Sequence, residues 1–148
     1  MTDNMHDRLF SVVPDQTSIT AISEFLDTCL EEFDVPVRAG YTLKVVADEI
    51  ISNIVYYSGA KKAEILFRND PEHITLLFRD DGIPYNPLEA REPDVTAGIG
   101  EREIGGLGLF MVKKMAESVC YEHTGSQNQL TVVLSKAAKK KKLSLEDF

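Results

Sequence analysis

The chain has 148 residues, a length that suits one domain able to bury roughly 70% of the surface of its unfolded chain without metal or disulfide support. Cys29 and Cys120 match neither a zinc pattern nor a disulfide framework, no window approaches the ~18 apolar residues of a membrane span, and the opening MTDNMHDR lacks a signal peptide's apolar core, so a soluble cytosolic chain with reduced thiols is expected. The net charge is −8, but five lysines against Glu146 and Asp147 give residues 136–148 a charge of +3, which leaves residues 1–135 at −11; so acidic a body repels phosphate backbones and argues against direct nucleic-acid binding.

In chain order, residues 8–13 read as a first strand closed by Pro14. Ile19, Ile22, Phe25, Leu26, Cys29, Leu30 and Phe33 then recur at three- and four-residue spacing, a helix with one buried face. A second helix starts after Pro36, buries Leu43, Val46, Ala47, Ile50 and Ile54, and stops near Gly59. Alternation of Ala63, Ile65 and Phe67, then of Ile74, Leu76 and Phe78, around the turn RNDPEH predicts a hairpin covered on one face. Residues 84–105 show little periodicity and several glycines and charges. An unstructured connection of that length in a compact domain usually has a function, and it is read as a lid.

Leu109, Val112, Ala116 and Val119 form the buried stripe of a third helix, with Lys113 and Glu117 paired four apart on its outside. Residues 119–123 and then Leu130, Val132 and Leu134 read as a last hairpin. The lysine run that follows reads as a solvated, flexible terminus, with docking to an anionic surface as the alternative. The order β-α-α-β-β-lid-α-β-β implies an α+β fold, a two-layer sandwich in which an antiparallel-rich mixed sheet carries three helices on one face.

Three polar stretches interrupt these patterns. In ADEIISNIV, Glu49 and Asn53 stand four apart, about 40° around a helix axis, and project together off the apolar face. In RDDGIPYNP, residues 79–87, two carboxylates end an apolar strand before a glycine and a proline, which alone describes a surface turn. In EIGGLGLFMVKK, Gly105, Gly106 and Gly108 lead into a helix, where close-approaching backbone N–H groups and the positive end of the helix dipole can hold an anion. Neither the Walker A pattern nor G-x-G-x-x-G is present.

Taken in fixed order, Glu49 with Asn53, Asp80-x-Gly82-x-Pro84, a glycine-bearing lid and Gly106-x-Gly108-Leu109-Phe110 resemble the nucleotide-binding boxes of the GHKL ATPases, with their histidine kinase-like (Bergerat) fold. Within them the chain is most similar to the anti-sigma factor serine/threonine kinases, being short and lacking a histidine-bearing dimerisation segment. The resemblance runs over residues 8–135, as a single ATPase domain, and excludes the tail. It implies that an ionised Asp80 accepts a hydrogen bond from the exocyclic amine of adenine, that Gly82 leaves room for the ring and Pro84 stiffens the exit, and that Asp81 faces solvent or the chain. It further implies that Asn53 coordinates a magnesium ion bridging the phosphates of ATP and that Glu49 is the general base. The remaining nucleotide contacts it implies are Gly98, Gly100, Arg102, Gly105, Gly106, Leu107, Gly108 and Leu109. Arg102 is a candidate for neutralising the γ-phosphate, and is equally read as surface charge.

Relatives often carry a histidine after the asparagine, near the helix end, where this chain has Tyr56 and Tyr57, read here as amphipathic residues capping the core. The resemblance implies a cytoplasmic homodimer that phosphorylates a serine or threonine of a STAS-type anti-sigma factor antagonist and sequesters a sigma factor. The rival is a nucleotide-dependent binding module without phosphoryl transfer. A detached catalytic half of a histidine kinase is a third option, for which His6, His73 and His123 supply no suitable helical setting.

Overall fold

The computed structural model describes residues 5–86 and 106–137, and in the second stretch the side chains from Met111 onward. Its elements are β1 (His6–Val12), α1 (Gln16–Glu32), α2 (Val37–Tyr57), β2 (Ala63–Asn69), β3 (His73–Asp80), α3 (Gly106–Met115), β4 (Ser118–Thr124) and β5 (Gln127–Ser135). The strands form one sheet in the order β1-β2-β3-β5-β4. Every pairing among these strands is antiparallel, so the parallel component that a mixed sheet allowed is absent from the described residues.

Local chemistry accounts for the boundaries. Asp15 opens α1 through a reciprocal cap, its carboxylate accepting from the Thr17 and Ser18 amides while Ser18 Oγ accepts from the Asp15 amide; such a cap is worth about 1 kcal/mol. The turn into α2 places Asp34 at φ 49, and Gly59, at φ 66, follows the Ser58 cap of that helix. Gly40 lets α2 approach α1, since a Cβ there would sit 3.2 Å from Leu30.

The core lies between the inner sheet face and the helices, where Phe67, Phe78, Leu26, Leu43, Leu76 and Val132 are among the fully buried side chains. Strict alternation of burial along β2 and β3 is the direct consequence of a sheet covered on one side. Cys29 sits in this core, where burial pushes its thiol up to about 11 and so keeps it protonated.

Two expectations shift. The first strand begins at His6 and ends at Val12. The third helix ends at Met115, so Val119 belongs to β4, and Glu117 lies beyond the helix with its Oε2 2.7 Å from His73 Nε2. The cause is a sheet contact: the Glu117 amide already donates to Val133 O at 2.8 Å, which takes the chain out of helical register. Of the tail, Lys136 is tied to the β2–β3 turn through the carbonyls of Glu72 and Asp70. Residues 138–148 lie outside the described residues.

Candidate functional site

α2 carries the first two groups. Asn53 Nδ2 donates to Glu49 Oε1 at 3.5 Å, a long bond that holds the two half-buried side chains side by side. Burial raises the Glu49 carboxyl above the ordinary glutamate value, and the bond from Asn53 only partly opposes it. No cationic side chain among the described residues pairs with Glu49, so it is a weakly solvated base without a counter-ion, the condition a general base needs.

The two aspartates that end β3 point to opposite sides, as successive strand residues must. Asp81 faces the chain: its Oδ1 accepts from the Lys61 amide at 2.7 Å and the Lys62 amide at 3.0 Å, and these donors hold its carboxyl below the usual carboxylate range. Asp80 points inward and is 7% exposed. Its hydrogen bonds, from the Gly82 amide at 2.9 Å and Asn128 Nδ2 at 3.1 Å, both fall on Oδ1. Among the described residues nothing donates to Oδ2, which leaves that oxygen to accept from a ligand amine.

Gly82 has a use that sequence reasoning did not identify. A Cβ there would lie 2.4 Å from Ser58 O and 2.9 Å from Asp80 Oδ1, so the space beside it is occupied by the end of α2 and by the aspartate. The Ile83 amide donates to that same Ser58 carbonyl at 2.9 Å. The turn after Asp80 is thereby docked onto the helix that bears Glu49 and Asn53. Pro84 follows in an exposed, irregular stretch.

Asn128, on β5, is the residue missed. It lies directly opposite Asp80 in the β3–β5 register and is 6% exposed. Its Nδ2 donates to Asp80 Oδ1, to Ile83 O at 2.8 Å and more weakly to Gly82 O at 3.4 Å, while its Oδ1 accepts from the Tyr85 amide at 3.3 Å and from the Tyr121 hydroxyl. One side chain thus ties β3, β4, β5 and the turn together. A signal existed in the sequence: Asn128 is in phase with Leu130, Val132 and Leu134, a polar residue on a buried strand face. Removing one partner of a buried hydrogen bond costs about 1–3 kcal/mol. Asn128→Ala is therefore expected to lower adenine-nucleotide affinity by roughly 5- to 100-fold, with the secondary structure retained, as titration calorimetry and circular dichroism will register.

The phosphate-side residues are only partly placed. Gly106, Leu107, Gly108 and Leu109 form the first turn of α3, which is anchored by buried Val112, with Ala116 buried just beyond its end. Gly98, Gly100, Arg102 and Gly105 lie outside the described residues, as does most of the expected lid. Tyr56 and Tyr57 are 56% and 50% exposed, so they do not cap the core.

The donor set fits a nucleotide with its metal. Asp80 offers a buried carboxylate oxygen for an amine. Asn53, with its nitrogen turned to Glu49, offers a neutral oxygen for a hard cation of the kind that keeps waters and substrate phosphates as its other ligands. No cluster of three or more His, Cys, Asp or Glu that could hold a metal by itself occurs among the described residues, and no helix there is long and apolar enough to cross a membrane.

Comparison with known proteins places the chain as a whole. Residues 12–134 match the family model of the histidine kinase-like ATPase domain. The chain is 27% identical over 99 residues to the serine/threonine-protein kinase BtrW of Bordetella bronchiseptica, covering 64% of this chain and 70% of that protein. It also superimposes on a chain of the SiaB–SiaC complex from Pseudomonas aeruginosa with a TM-score of 0.56 at 15% identity, over 86% of this chain and 89% of that one, a likeness of fold. With the family model covering most of its length and the same fold in a solved neighbour, the chain belongs to the histidine kinase-like ATPase domain family.

Proposed function

We propose that the chain is an ATP-dependent protein serine/threonine kinase that acts in the cytoplasm as an anti-sigma factor. The observation that carries this reading is the half-buried Glu49, its carboxyl raised by burial, beside Asn53 on the helix to which the Asp80 turn is docked. A base in that position accepts the proton of an incoming serine or threonine hydroxyl as its oxygen bonds to the γ-phosphorus of ATP and ADP departs. Asn53 holds the magnesium ion, Asp80 reads adenine, and the first turn of α3 meets the phosphates. Gly82 and Asn128 hold Asp80 in place. Similarity to BtrW, a serine/threonine-protein kinase, supports the enzyme over a purely binding module. The solved neighbour is one chain of the SiaB–SiaC complex, a two-protein assembly, and this supports a protein partner for the present chain.

The test is incubation of the chain with γ-labelled ATP, magnesium and candidate STAS-type antagonists. Label on a serine or threonine of one antagonist supports the kinase; magnesium-dependent ATP binding with no transfer to any of them favours a module that uses nucleotide only to set its shape.

The sheet's outer face supports a homodimer. Leu9, Leu66 and Leu77 stand opposite one another across β1, β2 and β3, flanked by the Asp7–Arg68 and Glu64–Arg79 pairs, an apolar row that a second copy can cover. Light scattering at micromolar concentration is expected to give twice the 16.5 kDa chain mass, and Leu77→Glu to give a monomer; a wild-type monomer defeats the dimer. Sigma factor sequestration by the acidic body is expected to weaken as salt rises, and binding insensitive to salt removes that electrostatic account.

A further inference from the structure

The outer surface of the helix layer carries a feature that nucleotide chemistry does not use. Val37, Tyr41 and Val45 recur every fourth residue along α2 and are 90%, 70% and 37% exposed. An apolar stripe of this kind, about 12 Å long from the helical rise, is unusual on the solvent side of a helix whose opposite face is already buried in the core. α1 runs antiparallel beside it, held by Lys44 Nζ on Ser23 O at 3.0 Å and Asp27 Oδ1 at 2.6 Å. The outward side of α1 presents Glu24, Asp27 and Glu31 at three- and four-residue spacing, all exposed. Lys44 neutralises Asp27, while Glu24 and Glu31 have no cationic partner among the described residues. The groove between the helices therefore has one apolar wall and one acidic wall.

From this juxtaposition we infer that the α1–α2 groove is a docking site for an amphipathic helix of a partner protein, one with an apolar stripe bordered by lysine or arginine. Two parallel ridges at helical spacing accept a third helix, the acidic wall complements a basic flank, and both membranes of anionic lipid and nucleic acids are repelled by it. The site is independent of phosphoryl transfer, since Glu49 and Asn53 take no part in it.

The probe is a synthetic 18-residue helical peptide with a leucine stripe flanked by lysines, with a counterpart in which glutamates replace the lysines. In methyl and aromatic NMR spectra of the full chain, the lysine peptide is expected to shift the signals of Val37, Tyr41 and Val45 and to bind at least about tenfold more tightly than the glutamate peptide, the contrast falling as salt rises. Tyr41→Glu and, separately, Glu31→Lys are each expected to weaken it by about fivefold or more while ATP affinity stays at the parental value. Both are exposed positions, so the fold is retained. Shifts confined to other surfaces, equal binding of the two peptides, or full binding by Tyr41→Glu overturns the inference. So does a change in oligomeric state on Tyr41→Glu, which assigns the groove to a second copy of this chain.

Discussion

Glu49→Gln is expected to slow phosphoryl transfer to the antagonist by about 10² to 10⁴, the usual contribution of a positioned general base, while magnesium ATP and the sigma factor bind at near parental affinity. Glutamine keeps the length of the side chain and an oxygen that can still accept from Asn53 Nδ2, so the loss isolates the basic carboxylate. The pH dependence follows from the same group. The base works ionised, and burial raises its carboxyl above the ordinary value, so the acid limb of kcat/KM is expected at higher pH than an exposed glutamate would give. Because the folded chain binds that proton more tightly than the unfolded one, this group adds relative stability as pH falls through its raised value. Single-turnover transfer of labelled phosphate measures the rate; a variant that transfers at the wild-type rate removes Glu49 from the mechanism.

Asp80→Asn is expected to lower adenine-nucleotide affinity by roughly 10- to 100-fold, because a charge-assisted hydrogen bond worth about 1.5–3 kcal/mol becomes a neutral one. An amide at that site also meets Asn128 Nδ2 and the Gly82 amide, both donors, so only its oxygen can face them and its nitrogen is turned toward the ligand. Guanine nucleotides, which present a carbonyl where adenine presents its amine, are expected to lose little. Asp81→Asn is expected to leave affinity almost unchanged, since that carboxylate accepts the amides of Lys61 and Lys62 at the start of β2. Calorimetric titration of both variants decides it, and equal losses mean that the wrong aspartate has been assigned to adenine.

Much of the architecture was legible because its causes are local. Alternating Ala63, Ile65 and Phe67 against Ile74, Leu76 and Phe78 can satisfy only a strand with one covered face, and the spacing of Ile22, Leu26 and Cys29 only a helix. Glu49 and Asn53 could be paired from the sequence for the same reason, four residues being one helical turn. The errors fall where a distant contact overrides the local pattern. The apolar phase of α3 runs on to Val119, but the hydrogen bond from the Glu117 amide to Val133 begins the sheet first, and Glu117 turns to His73 on β3.

By itself, the sequence determined the order and type of the elements, the helical pairing of Glu49 with Asn53 and the family resemblance carried by the nucleotide boxes, since each is written in residues close along the chain. Only the tertiary structure decided which neighbours complete the site. That Asn128 braces Asp80 from 48 residues away depends on the antiparallel register of β5 against β3, and that Gly82 must be bare depends on where the end of α2 comes to rest. Those positions are set by how the core packs the helix layer on the sheet, a balance summed over many side chains that no single stretch of sequence contains.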